Sequence, residues 1–274
     1  MNSLKEFNRF TAQLSNTEKM PVLFIGHGSP MNGIETNPFS QTWNQLGNDI
    51  PKPSAVLVIS AHWYTPGTRI TAMLNPPTIH DFYGFPPELF AVQYPAPGDP
   101  ELAQYTAQNI LSTTVSLDHD WGLDHGAWSV IRHMYPEANI PVLQLSIDYN
   151  KPASFHYELA KELAHLRTKG VLILGSGNMV HNLGMLSWNM INGGGYDWAV
   201  EMNEKFKDLI LTKNHKPLIQ YESLGTAGRL SIPTPEHYLP LLYSLGLQEN
   251  QDEISFFNDM AVGGSLTMTG VKLS

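Results

Sequence analysis

The chain has 274 residues, a hydrophobic fraction of 42% and an aromatic fraction of 10%, enough for a packed core and unlike a disordered chain. A formal charge of −9 with only 16 Lys and Arg excludes a phosphate-binding surface of the nucleic-acid type. Zero cysteines exclude disulfides, thiolate nucleophiles and sulfur-ligated metals, so any metal must sit on His, Asp or Glu.

Residues 1–20 are mixed and polar, without the apolar stretch of a secretory signal, and read as an N-terminal extension to one domain over 21–274. No apolar run reaches the roughly 18 residues of a membrane span, which gives a cytoplasmic protein with no membrane partner. Val22–Ile25 is the first buried strand, short, rich in branched residues and closed by glycine. It leads into Gly26-His27-Gly28-Ser29-Pro30, where the two glycines point to close backbone approach and unusual φ around His27. Ala55–Ser60 is a second strand and runs into His62. Residues 75–100 carry seven prolines and form a long ordered loop, containing His80 and Asp81, that shapes or covers a site. Glu101–Leu111 has helical spacing. His125 follows Asp124, which serves either to hold an imidazole tautomer or to cap a helix. Pro141–Ile147 is a third strand, Ser154–Lys169 a helix stopped by Gly170, and Val171–Leu174 a fourth strand that leads through Gly175-Ser176-Gly177 to His181. Trp198–Leu211 is a helix. Thr234-Pro235-Glu236-His237 reads as a helix start, with threonine as N-cap, proline at the first position, and Glu236 explained by the dipole.

Alternating strands and helices give an α/β fold, a single domain with a central mostly parallel sheet flanked by helices. Three strands end in a histidine, and ligands of such sheets bind beyond the carboxyl ends of the strands. His27, His62 and His181 can therefore converge there, with His237 as a fourth metal candidate. Each alone is an ordinary structural histidine; the set points to a metal site. Glu236 and His237 diverge by roughly 100° as helical neighbours, and of the two His237 is the preferred ligand. His119, His133, His156, His165 and His215 lie in charged or helical surroundings and read as surface residues. Other chemistries lack their signatures: Ser29 is not in a G-x-S-x-G elbow, and Gly175-Ser176-Gly177-Asn178 has neither the lysine of a P-loop nor the third glycine of a dinucleotide site.

Six segments in order, Gly26-His27-Gly28-Ser29-Pro30, Ser60-Ala61-His62-Trp63, His80-Asp81-Phe82-Tyr83-Gly84-Phe85-Pro86, Asp124-His125-Gly126-Ala127-Trp128, Ser176-Gly177-Asn178-Met179-Val180-His181-Asn182 and Thr234-Pro235-Glu236-His237-Tyr238, together resemble the LigB-type class III extradiol ring-cleavage dioxygenases, in the 4,5-DOPA dioxygenase-like branch. The resemblance runs from about residue 21 to the C-terminus. It implies one divalent metal, Fe2+ or Zn2+, and cleavage of a small aromatic diol by O2. By it, His27 and His62 match metal ligands, His237 falls where the third is expected, and His181 matches an acid–base residue also within reach of the metal. His125 is a second proton-transfer candidate, and His80 and Asp81 are substrate-binding candidates. The wider family uses two histidines and a glutamate, which keeps Glu236 in reserve. Two alternatives remain at this stage, a zinc hydrolase on the same histidines and a non-catalytic relative.

Overall fold

The structure, a computed structural model, describes residues 17–274. Most of the expected extension, residues 1–16, lies outside the described residues. The strands are β1 (Val22–Gly26), β2 (Ala55–Ser60), β3 (Tyr64–Thr65), β4 (Thr68–Thr71), β5 (Val115–Asp118), β6 (Val142–Gln144), β7 (Ile147–Asp148), β8 (Val171–Gly177), β9 (Ile254–Phe257), β10 (Ala261–Val262), β11 (Leu266–Thr267) and β12 (Gly270–Leu273). Six of them form the central sheet in the order β6-β2-β8-β1-β12-β9. The first four are mutually parallel; β12 pairs antiparallel with β1, and the edge strand β9 pairs antiparallel with β12.

Alternation along the buried strands divides the core. Val22, Phe24, Leu57, Ile59, Val171 and Ile173 face the helices Ala153–Glu162, Asp197–Leu211 and Leu239–Gly246. Leu23, Ile25, Val56, Val58, Leu172 and Leu174 face Trp43 and Trp128 on the helices Pro38–Asp49 and His125–Met134. These strands have no solvated face, so they read as continuous apolar runs. Each fully buried large side chain contributes about 1.5–3 kcal/mol.

The α/β architecture and mostly parallel sheet are as expected, with local differences. Pro141–Ile147 is two strands in different sheets, because Leu145 bridges to Ile70 and β7 pairs with β3. Val171–Leu174 continues to Gly177, since glycines let the strand run against backbone: a Cβ on Gly175 would stand 2.4 Å from the Pro240 carbonyl oxygen. The helix expected over 154–169 is α-helical only to Glu162 and then 3-10, ending at Gly170 with φ +76°. Helix Pro38–Asp49, capped by Asn37 and Ser40, is not among the expected elements, although Phe39, Trp43 and Leu46 stand at the i, i+4, i+7 spacing of a helix face. The proline-rich loop holds one short helix, Pro87–Phe90.

Two histidines read as surface residues are buried. His156 is fully enclosed, its Nδ1 3.0 Å from the Tyr243 hydroxyl, and His215 Nδ1 lies 2.9 Å from that of Tyr157. Both sit where helix Ala153–Glu162 meets its neighbours, a face its charged composition concealed.

Arg167 is wholly buried and ties the segment before β1 to the C-terminal region. Its Nη1 and Nη2 donate to the two Asp252 carboxylate oxygens at 2.7 and 3.1 Å, its Nε to the Met20 carbonyl and its Nη1 also to that of Leu247. Lys19 Nζ also reaches Asp252 Oδ1 at 2.6 Å. Burial would raise the Asp252 carboxyl, but the Arg167 and Lys19 contacts outweigh it and hold it at about 2. Removing one partner strands a buried charge, and Asp252→Ala is expected to cost about 3–5 kcal/mol in urea unfolding. Because the folded value lies below the unfolded one of about 3.9, the wild-type contribution is complete above pH about 4 and disappears as pH falls toward 2. The variant should show a flatter acid-unfolding profile over that window.

Candidate active site

The sheet delivers three strand ends to one edge. The His27 amide donates to the Gly177 carbonyl and the Ala61 amide to that of Ser176, which holds the segments after β1 and β2 against the end of β8. Around His27 the chain passes very close to other backbone. A Cβ on Gly26 would lie 2.7 Å from the Met268 carbonyl carbon, and Gly28 has φ +62°. Both glycines are therefore required, as the flanking pattern suggested.

His27, His62 and His237 come together, with ring centroids 5.0 to 5.5 Å apart. Their nearest ring nitrogens lie within 4.8 Å of one another. His125 packs on His62 at 3.8 Å and His181 stacks on His237 at 3.6 Å with an interplanar angle of 7°. His62, Asp81 and His125 form a second trio of close donor atoms, and His181, Glu236 and His237 a third. The trios share members, so this is one continuous cluster. His80 stands apart from it, its Nε2 3.0 Å from the Val92 carbonyl and its ring against Phe82, Phe90 and Trp128.

The neighbours of each ring assign its protons. Ser176 Oγ donates its single hydrogen to the Gly126 carbonyl at 2.5 Å, so it accepts from His27 Nδ1 at 3.0 Å. His62 Nδ1 faces the Asp81 carboxylate at 3.2 Å, where only an N–H is favourable. His27 Nε2 and His62 Nε2 then both carry lone pairs, yet they stand 3.1 Å apart. Two lone pairs at that distance repel unless they share a cation. His237 Nδ1 faces Glu236 Oε1 at 3.3 Å, which leaves its Nε2 as a third lone pair. Three neutral imidazoles, each with Nδ1 turned to an oxygen and presenting Nε2, suit a divalent metal of the zinc or iron class.

Electrostatics keep them neutral. Burial, followed by repulsion from neighbouring imidazoles, holds His27 and His62 well below the ordinary histidine range. Burial also lowers His237, against the opposing pull of Glu236. His181 falls to about 3 through burial and the adjacent His237. Burial would raise Glu236, but its contacts with His237 and Thr234 hold it at about 2. Asp81 likewise stays below its usual range despite burial, through hydrogen bonding to His125.

Asp124 is the N-cap of helix His125–Met134, its Oδ1 accepting from the Ala127 amide and from Ser60 Oγ. Burial and the charge of Asp81 push its carboxyl up to about 6. The expected helix start at Thr234 is a turn instead, and the helix begins at Leu239. Released from helical geometry, Glu236 and His237 make contact, so the 100° divergence does not hold. Ser176 escaped notice in the sequence: its part depends on the β1–β8 register that sets Ile25 opposite it.

The backbone of His237 is placed by β8. A Cβ on Gly177 would lie 2.1 Å from the His237 carbonyl oxygen, while Asn178 N donates to that same oxygen. Gly177→Ala is therefore expected to destabilise by about 1–3 kcal/mol in thermal unfolding. It should also shift the imidazole resonances of His237 more than those of His62.

The sequence matches the family described as the catalytic LigB subunit of aromatic ring-opening dioxygenase over residues 21–262. A 4,5-DOPA dioxygenase extradiol of Escherichia coli (strain K12) is 46% identical over 264 residues, covering 95% of this chain and 97% of that protein. The 4,5-DOPA dioxygenase extradiol of Beta vulgaris is 34% identical, covering 92% of this chain and 96% of its own. Among solved structures, an uncharacterized protein from Escherichia coli K12 superposes with a TM-score of 0.81 at 42% identity, over 93% of this chain and all of that one. The chain therefore belongs to the LigB family of aromatic ring-opening dioxygenases, in its 4,5-DOPA dioxygenase-like branch.

Proposed function

We propose that residues 21–274 form a metal-dependent extradiol dioxygenase domain, with 1–20 as an extension, that opens the ring of a catechol such as DOPA beside its hydroxyl pair and incorporates both atoms of O2. The observation that carries this reading is the 3.1 Å approach of His27 Nε2 to His62 Nε2, with each Nδ1 turned to an oxygen. The names of the Escherichia coli and Beta vulgaris relatives support the substrate class. The acidic balance of the chain supports work without nucleic acid, and no helix among the described residues is long and apolar enough to cross a membrane. A cytoplasmic location fits both.

In this reading His27, His62 and His237 hold the metal, Fe2+ for ring cleavage or Zn2+ in a redox-inert form. Glu236 leaves the reserve of possible ligands and becomes the acceptor that orients His237. Bound metal would supply Lewis acidity that eases loss of the diol protons and, as Fe2+, a redox-active path by which electrons pass from the catechol to O2, the iron itself undergoing no net oxidation. The protein's own groups manage the protons. His181, neutral and beside His237, accepts a proton from a catechol hydroxyl, and the negative charge then developing on the diol raises its affinity for that proton. Asp81 Oδ2 faces the Nδ1 atoms of both His62 and His125, 3.2 and 3.0 Å away, while its Oδ1 accepts from the His125 amide at 2.9 Å, and His125 serves as a second proton-transfer group. His80 and Asp81 flank the diol on the side of the proline-rich loop, His80 fixed by Val92.

Protein stripped of metal and reloaded anaerobically with Fe2+ should consume O2 on addition of L-DOPA and release a yellow semialdehyde, whereas zinc-loaded protein should do neither. Absence of uptake with every catechol tried would overturn the reading, and turnover by the zinc form without oxygen would point to hydrolysis. His27→Ala and His62→Ala should lose bound metal by elemental analysis. His181→Phe should keep metal and lose about 10²–10⁴-fold in kcat; equal metal loss in all three variants would make His181 a ligand.

A further inference from the structure

Beside the imidazole cluster lies an open cleft of about 350 Å³ whose lining includes His62, Tyr64, Arg69, Asp120 and Trp121. We propose that this cleft is the subsite for the substrate's side chain, in which Arg69 binds a carboxylate and Asp120 an ammonium. The enzyme would thereby select catechols that carry an α-amino-acid group. This rests on the catechol dioxygenase reading above and adds to it which residues read the far end of the substrate.

The cleft connects with the cluster. His62 lines it, and so does Tyr64, whose phenol is raised by burial and by the charge of Glu236, the partner of His237. A diol held at His27, His62 and His237 therefore has open space on the His62 side. The wall is flat and aromatic, with the Trp63 and Trp121 rings parallel to within 1° at 5.9 Å.

Its charged groups are arranged for a zwitterion. Arg69 is anchored on β4, its amide donating to Ser146 Oγ at 2.8 Å, and its Nη1 pairs with Asp118 Oδ2 at 3.2 Å. Asp118 is saturated, because its Oδ1 also accepts from the Asp120 and Trp121 amides at 3.0 and 2.7 Å. It fixes the guanidinium and has little capacity left for a ligand. Among the described residues, Arg69 Nε and Nη2 have no partner, and the side chain is 44% exposed toward the cleft. The Asp120 carboxylate is exposed and likewise without a side-chain partner among the described residues. In a chain of net charge −9, a local guanidinium is what gives an anionic group a favourable place to bind.

The test compares wild type, Arg69→Gln, Arg69→Lys and Asp120→Asn against L-DOPA, dopamine, 3,4-dihydroxyphenylpropionate and 4-methylcatechol. KM and kcat are read on Fe2+-loaded protein, and binding on zinc-loaded protein by calorimetry. Hydrogen bonds to charged groups lead to an expected rise in KM and Kd of about 10- to 100-fold where one is lost. Arg69→Gln should show it for L-DOPA and dihydroxyphenylpropionate, with 4-methylcatechol and dopamine unchanged and kcat retained; Arg69→Lys should recover part of the loss. Asp120→Asn should show it for L-DOPA and dopamine only. Equal losses on all four ligands, or none on any, would overturn the subsite. If wild type turns over no catechol, the activity reading fails by itself, and the binding ratios on zinc-loaded protein still decide the subsite.

Discussion

The parallel alignment of β1, β2 and β8 is the constraint on which the rest of the site depends. Two backbone hydrogen bonds beyond the regular ladder, from His27 to Gly177 and from Ala61 to Ser176, bring the strand ends level. From that level edge His27 and His62 meet almost at once, and Ser176 falls opposite the residue that precedes the Gly26 and His27 step. Glycine at 26, 175 and 177 is the price of this arrangement, since each has backbone where a side chain would be. A sheet without them would hold its strands further from Met268 and from the 237–240 segment, and the imidazoles would not converge.

Burial then determines the chemistry of the converged rings. Imidazoles packed this closely cannot all be charged, so they are neutral, and a neutral imidazole has one nitrogen to give and one to receive. Oxygens from three different places stand against the Nδ1 atoms: the Ser176 hydroxyl and the Glu236 carboxylate within hydrogen-bond reach of His27 and His237, and the Asp81 carboxylate facing His62. What remains is a set of inward-facing Nε2 lone pairs with no protein proton to share. The same desolvation works against the two carboxylates, which stay ionised because hydrogen bonds outweigh it, from His125 to Asp81 and from His237 and Thr234 to Glu236. For Asp124, burial and the charge of Asp81 outweigh the opposing contacts with Ser60, His125 and Gln144, and its carboxyl rises. Environment thus separates carboxylates of one kind into different electrostatic roles.

Much of this was legible in the chain itself. Short apolar runs such as Ala55–Ser60 mark a buried parallel sheet because strands covered on both faces have no polar alternation. A histidine just past each of three runs locates the site at the carboxyl edge, and paired glycines around His27 betray a tight passage. Tertiary structure alone decided the partners. That Ser176 holds His27, that Asp81 serves two imidazoles from a loop some distance away in the chain, and that Arg69 and Asp120 share a cleft with His62 all depend on register and loop path, which leave no periodic trace. Thr234 to His237 shows the limit from the other direction: its residues suit a helix start, but the contact of Gly177 with the His237 backbone holds the segment as a turn, because local propensity amounts to about 1 kcal/mol and close packing against a buried strand outweighs it.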